Sequence, residues 1–187
     1  MTGDLDVPEG DESYLDDEGD AGPPAATVLD GRVLRQRLDV LPVRAPSVYA
    51  PAATVTQAIR GMQRERRGCV LITEDGTERT RLTGIFTERD VLFRIVDRGR
   101  NPASLPLAEV MTPDPETVPH EASVAWVINQ MAVGGYRHVP VVDDEGRPVF
   151  VISVRDVVEL LVEYFPQEIL NLPPQYSADR MREREGA

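Results

Sequence analysis

Apolar and polar positions alternate between two periods along this chain, and they do so twice. Val55, Ala58, Ile59 and Met62 fall at i, i+3, i+4 and i+7, and Val124, Val127, Ile128 and Met131 repeat that spacing 69 positions later. Four apolar groups so spaced share one face of a helix. The approach is repeated as well: "PSVYAPAATV" at 46–55 matches "PETVPHEASV" at 115–124 position for position. Glycines follow, Gly68 in the first copy and Gly134-Gly135 in the second, where helices are expected to stop.

Short β-rich runs come next, "CVLIT" at 69–73 and "HVPVVD" at 138–143, closed by the turn residues "EDG" and "DDEG". Second strands return at "LTGIFT" (82–87) and "PVFVIS" (148–153). Last, Val91, Leu92, Ile95 and Val96 make a helical stripe, mirrored by Val157, Val158, Leu161 and Val162. Each unit thus reads strand–helix–strand–strand–helix. A unit of about 50 residues buries too little surface to stand comfortably alone, so two that share a core are expected. The predicted fold class is α/β (α+β), two β-α-β-β-α repeats packed as a pseudo-two-fold pair.

The predicted boundaries follow from these patterns: an acidic tail at 1–27, a lead-in segment at 28–44, repeats at 45–97 and 109–165 with a linker at 98–108, and a C-terminal extension at 166–187. Residues 1–24 hold nine acidic side chains and no basic one, so they supply −9 of the formal net charge of −12. With its Gly and Pro, this tail has the composition of a disordered segment. In the stretch 163–175, Phe165, Ile169 and Leu172 are expected to cover an apolar surface or else to dock on a partner, and the last dozen residues to be loose.

Composition narrows the chemistry. No apolar run approaches the roughly 20 residues that span a bilayer, and the first residues lack the features of a signal peptide. A lone Cys69 has no disulfide partner in the chain, so a cytoplasmic location is expected. In an apolar strand its thiol is expected to be inert. Cys69, His120 and His138 show no metal-ligand spacing. An acidic chain argues against nucleic-acid binding, which is dominated by phosphate neutralisation. All 20 basic residues are Arg, so an anion site here uses forked guanidinium groups or backbone amides.

Between the last strand and last helix of each unit the same side chains recur. Thr87, Arg89 and Asp90 align with Ser153, Arg155 and Asp156, 66 positions on. The pattern [ST]-x-x-[DE] before an apolar run is a capping box, and that alone accounts for it. A helix N-terminus also offers free N–H donors to a phosphate, and a carboxylate accepts hydrogen bonds from vicinal ribose hydroxyls. Both roles fit the residues.

The stretch Gly84-Ile85-Phe86-Thr87…Asp90, with "MTPDPETV" at 111–118 and "RHVPVVD" at 137–143, resembles a tandem pair of cystathionine β-synthase-type (CBS) domains over roughly two thirds of the chain. The resemblance implies a regulatory, non-enzymatic module with no catalytic cofactor. Its regulatory ligand would be an adenosine compound (AMP, ADP, ATP, NAD or S-adenosylmethionine) bound in clefts between the repeats. It carries the ribose role onto Asp90 and Asp156 and the phosphate side onto Thr87 and Ser153. Arg89, Arg155, Arg137 and His138 are candidate phosphate contacts or else surface groups, and Ile85 and Val139 are candidate apolar walls, with Val139 and Val141 reading equally as core. By alignment Arg137 and His138 correspond to Arg67 and Gly68, and Pro140 marks an edge or irregular strand.

Phe150 replaces the family glycine found at Gly84; it either narrows the second cleft or lies on the opposite face of its strand. The resemblance further implies a homodimer formed through helices, with Trp126 as a candidate contact, and an unidentified protein target. A scaffold whose [ST]-x-x-D is only a cap is the first alternative. A nucleic-acid-associated protein of the same family is the second.

Overall fold

The structure is a computed structural model that describes residues 31–166. The acidic tail at 1–27 and the extension beyond 166, with Ile169 and Leu172, lie outside the described residues.

Both units have the expected order. After a short helix α1 (Gly31–Leu34), the first repeat runs β1 (Val48–Tyr49), α2 (Val55–Glu65), β2 (Cys69–Thr73), β3 (Leu82–Thr87) and α3 (Glu88–Asp90), the last continuing as a π-helical turn at Val91–Val96. A linker strand β4 (Thr112–Pro113) leads to the second repeat: β5 (Val118–Pro119), α4 (Val124–Gly134), β6 (His138–Val142), β7 (Pro148–Ser153) and α5 (Val154–Tyr164). The sheets are ordered β1-β2-β3-β4 and β5-β6-β7, with β1 and β5 parallel to their neighbours and the hairpins antiparallel.

The helical stripes pack as their spacing requires. Val55, Ala58 and Met62 join Val70, Ile72 and Phe86 in the first core, and Val124 and Val127 join Val139, Val141 and Ile152 in the second. A third, smaller cluster of Cys69, Leu71, Leu82 and Ile85, with Val48, Val142 and Val151 against it, joins the two sheets. The repeats therefore share one interior.

Each repeat is completed by the segment that precedes the other. Leu105, Leu107 and Val110, which precede the first strand of the second repeat, belong to the first core, and Val55 N donates to Leu105 O at 2.9 Å. The lead-in residues Val33, Leu38 and Leu41 belong to the second core, and Val124 N donates to Gln36 O at 3.0 Å. Leu38 and Leu107 are fully buried and stand 69 positions apart. The repeat thus begins earlier than the visible similarity, and the two lead-ins are exchanged across the pair.

Several expectations are corrected. Helix α2 ends at Glu65 with Arg66 in the left-handed region (φ 52°), not at Gly68, whereas Gly135 (φ 69°) does cap α4. The stripe Val91, Leu92, Ile95, Val96 is not a buried face: Ile95 is buried, but Leu92 and Val96 are 60% and 66% exposed. This segment is wound as a π-helical turn, with Asp97 N bonded to Leu92 O and Arg100 N to Ile95 O. In α5, Val157 and Leu160 face inward while Val158 is exposed.

Strand register also shifts the alignment. Cys69 pairs with Thr87 and His138 with Ser153, so His138 takes the place of Cys69, and Arg137 that of Gly68. Pro140 lies on the central strand of its sheet, not at an edge. Its counterpart Leu71 donates its N–H to Ser47 O, away from the hairpin partner, so proline there forfeits one bond beside the short β5 and leaves the β6–β7 ladder whole.

Candidate functional site

A cleft of about 1280 Å³ lies between the repeats, and both copies of the repeated motif open onto it. Its walls include Ile85, Thr87, Arg89, Asp90, Arg137, His138, Ser153, Arg155 and Asp156, nine of the ten residues singled out from sequence. Val139 is the tenth. At 1% exposure it is a core residue of the second repeat, paired with Ile152, and it is not on the cleft wall.

Both capping boxes are formed. Thr87 N and Oγ1 donate to Asp90 Oδ2 at 2.8 Å each, and Asp90 N donates back to Thr87 Oγ1 at 3.4 Å. Ser153 N and Oγ donate to Asp156 Oδ2 at 2.6 and 2.7 Å, with Asp156 N returning to Ser153 Oγ at 3.4 Å. Strand β3 or β7 delivers the hydroxyl in extended conformation, and the first helical turn returns the carboxylate to it. The same backbone link supports each corner: Glu88 N donates to Gly68 O and Val154 N to Arg137 O, both at 3.1 Å.

The arginines divide into two sets. Arg155 is paired with Glu159 at 2.8 Å, and Arg94 with Asp90 at 3.1 Å. Arg44, Arg66, Arg89 and Arg137 are exposed on the cleft wall, and their side chains make no hydrogen bond or ion pair among the described residues. Glu88, Asp114 and Glu116 also line it, so the charge is mixed. Such a wall suits a molecule carrying both anionic groups and hydroxyls.

Residues that sequence reasoning missed here are Arg44, Arg66 and Arg94. Arg44 ends the lead-in and Arg66 is the left-handed cap of α2. Neither belongs to the repeated motif, so its own residue type was the only available signal.

His138 stands at the seam. A Cβ on Gly68 would lie 2.9 Å from Cε1 and Nε2 of its ring, so the imidazole rests against the backbone of the first repeat. Burial, then the neighbouring Arg137, hold its pKa below the ordinary value, and Glu88 and Asp156 oppose them. Cys69, in the equivalent strand position, is buried and its thiol is pushed up to about 12, chiefly by desolvation. It carries no nucleophilic character.

Phe150 does not enter the cleft. It is half-buried and packs against the second core. Its counterpart Gly84 sits under the linker strand: a Cβ there would lie 2.4 Å from Met111 Sδ and 3.2 Å from Thr112 O. The glycine is what lets β4 pair with β3, through Gly84↔Pro113 and Ile85↔Thr112. No fourth strand joins β7 among the described residues.

Residues 39–97 and 107–163 each match the CBS domain family. The chain belongs to the CBS domain family. A mitochondrial CBS domain-containing protein of Arabidopsis thaliana, CBSX3, is 32% identical over 121 residues, 64% of this chain and 58% of that protein. An uncharacterized protein of Methanopyrus kandleri is 27% identical over 111 residues, 59% of this chain and 55% of that one. The match spans somewhat over half the length of these curated relatives.

Among solved structures, a CBS domain protein from Pyrobaculum aerophilum complexed with AMP aligns with a TM-score of 0.60 at 26% identity, covering 68% of this chain and 97% of that one. An uncharacterized conserved protein from Pyrococcus horikoshii aligns with a TM-score of 0.59 at 21% identity, covering 68% and 93%, and shares the fold. No helix of the described residues is long and apolar enough to cross a membrane.

Proposed function

We propose that this CBS pair is a regulatory module that senses an adenosine-containing nucleotide in the cleft between its repeats and passes the change to a protein partner. The carrying observation is the convergence on one cleft of two capping-box helix starts and four arginines whose side chains are unpaired among the described residues. The arginines and the free N–H groups of α5 suit phosphate, and a cleft carboxylate suits ribose hydroxyls. The AMP bound by the Pyrobaculum relative supports this ligand class. The candidate ligands are AMP, ADP, ATP, NAD and S-adenosylmethionine, and the module is read as non-catalytic.

A homodimer is part of the reading. Leu92, Phe93 and Val96 on the π-helical turn, Val158 and Tyr164 on α5 and Trp126 on α4 are exposed, an apolar supply that a second copy would cover.

The test is a thermal-shift panel with the five compounds. A ligand at about 100 times its Kd adds roughly 2.7 kcal/mol of stability, on the order of 5–10 °C for a domain of this size. A shift with at least one compound supports the sensor. Silence from all five, with a protein partner captured through the apolar helices, supports the scaffold reading instead.

A further inference from the structure

The two cleft carboxylates are not equivalent. In each box the cap consumes Oδ2, so only Oδ1 is left for a ligand. On Asp90 that oxygen lies 3.1 Å from Arg94 Nε. The guanidinium is held from behind as well, Nη1 donating to Val110 O at 2.6 Å and Nη2 to Thr112 Oγ1 at 3.0 Å. Asp90 itself is only 8% exposed. On Asp156, Oδ1 accepts no hydrogen bond among the described residues, and the residue is half-buried at the cleft wall.

The difference has a cause in the winding of the two helices. Leu160 stands where Arg94 does, four residues after the carboxylate, and it is buried in the second core. In the first repeat the π turn turns Ile95, one residue later, into the core. Arg94 is thereby released towards Asp90 and the linker. A ribose hydroxyl would have to displace an arginine anchored at three points by charge-assisted hydrogen bonds.

We propose that Arg94 closes the first half-site to ribose, so that this chain holds a single nucleotide, on Asp156. The inference rests on the sensor reading and assigns which half of the cleft does the sensing. Arg94 is then a specificity-determining residue that trades a binding site for a tie between α3 and the linker.

The test is calorimetric titration of the full chain with AMP, followed by variants. Wild type is expected to take one AMP per chain, and Asp156→Asn none. Arg94→Met keeps the aliphatic stem and frees Asp90, so it is expected to take two. Adding Asp90→Asn to Arg94→Met returns it to one. 2′-Deoxy-AMP is expected to bind wild type about 10-fold or more weakly than AMP, from the loss of one hydrogen bond to a carboxylate.

Two AMP molecules on the wild type, or full binding by Asp156→Asn, would overturn the assignment while leaving the sensor reading intact. Weakened binding by Arg94→Met would overturn it too, marking Arg94 as a phosphate contact. Failure of AMP to bind any of the proteins sinks the sensor reading for this nucleotide, and this inference with it. Should Arg94→Met not fold, the wild-type stoichiometry and the Asp156→Asn result decide alone.

Discussion

His138 rests against the backbone of the first repeat at Gly68, and its titration reports on that seam. Burial holds its pKa below the usual 6.5, so as pH falls the unfolded chain takes up the proton first. Its contribution is therefore complete above that value and is lost as pH drops below it. Urea unfolding of wild type from pH 7.5 to 5 should show stability rising with pH, and His138→Gln should flatten that slope. An unchanged slope in the variant would remove His138 from the seam. At Gly84 the constraint is steric: Gly84→Ala is expected to cost about 1–3 kcal/mol, because β4 must move off β3. A melting temperature equal to wild type would mean that the linker strand gives way freely.

These residues also mark what could be read beforehand. Thr87, Asp90, Ser153 and Asp156 were legible because a capping box is local, its partners three residues apart. Of the two roles open to Val139 the structure gives it the core one, which sequence could not decide because an alternating strand does not declare which of its faces is core and which is cleft. The mispairing of His138 with Gly68 was an error of one residue, and period 2 makes such a slip reverse every side chain.

At the scale of elements, the sequence periodicity located α2 and α4 well, since four apolar groups at helical spacing have one way to be buried. It did less well for the last helix of each repeat, where Leu92 and its counterpart Val158 are both exposed, and the first of these helices is also π-wound, off the 3.6-residue period. The consequence is measurable. Ile95→Ala should lose about 2–5 kcal/mol, as for a buried aliphatic side chain. Phe93→Ala, 63% exposed in this chain, should stay within about 0.5 kcal/mol in dilute protein. If Phe93 lies in a dimer contact, the same substitution will lower the sedimentation-derived mass at high concentration. Equal losses for both would mean that Phe93 is packed in the interior and not exposed.

For the whole molecule, the exchange of lead-ins is the main structural result, and it was hidden in sequence. Leu38 and Leu107 repeat at the same offset as the helices, but a single apolar residue opening a short 3-10 turn carries no pattern that flags it. The exchange makes one folding unit of two repeats. Leu38→Ala lies ahead of the first repeat yet should destabilise the second core, and Leu107→Ala the first, each by about 2–5 kcal/mol. Both should melt in a single transition. Separate transitions for the two repeats would contradict the shared interior.

The most direct test of nucleotide sensing is amide hydrogen exchange of the full chain with and without AMP. Slowed exchange is expected at 137–138 and 153–156, where the Arg137–Val154 link, the Ser153–Asp156 box and the start of α5 face the cleft. Helices α2 and α4 should change far less on their outer faces. No change anywhere at saturating AMP, or protection confined to those outer faces, would contradict a nucleotide site between the repeats.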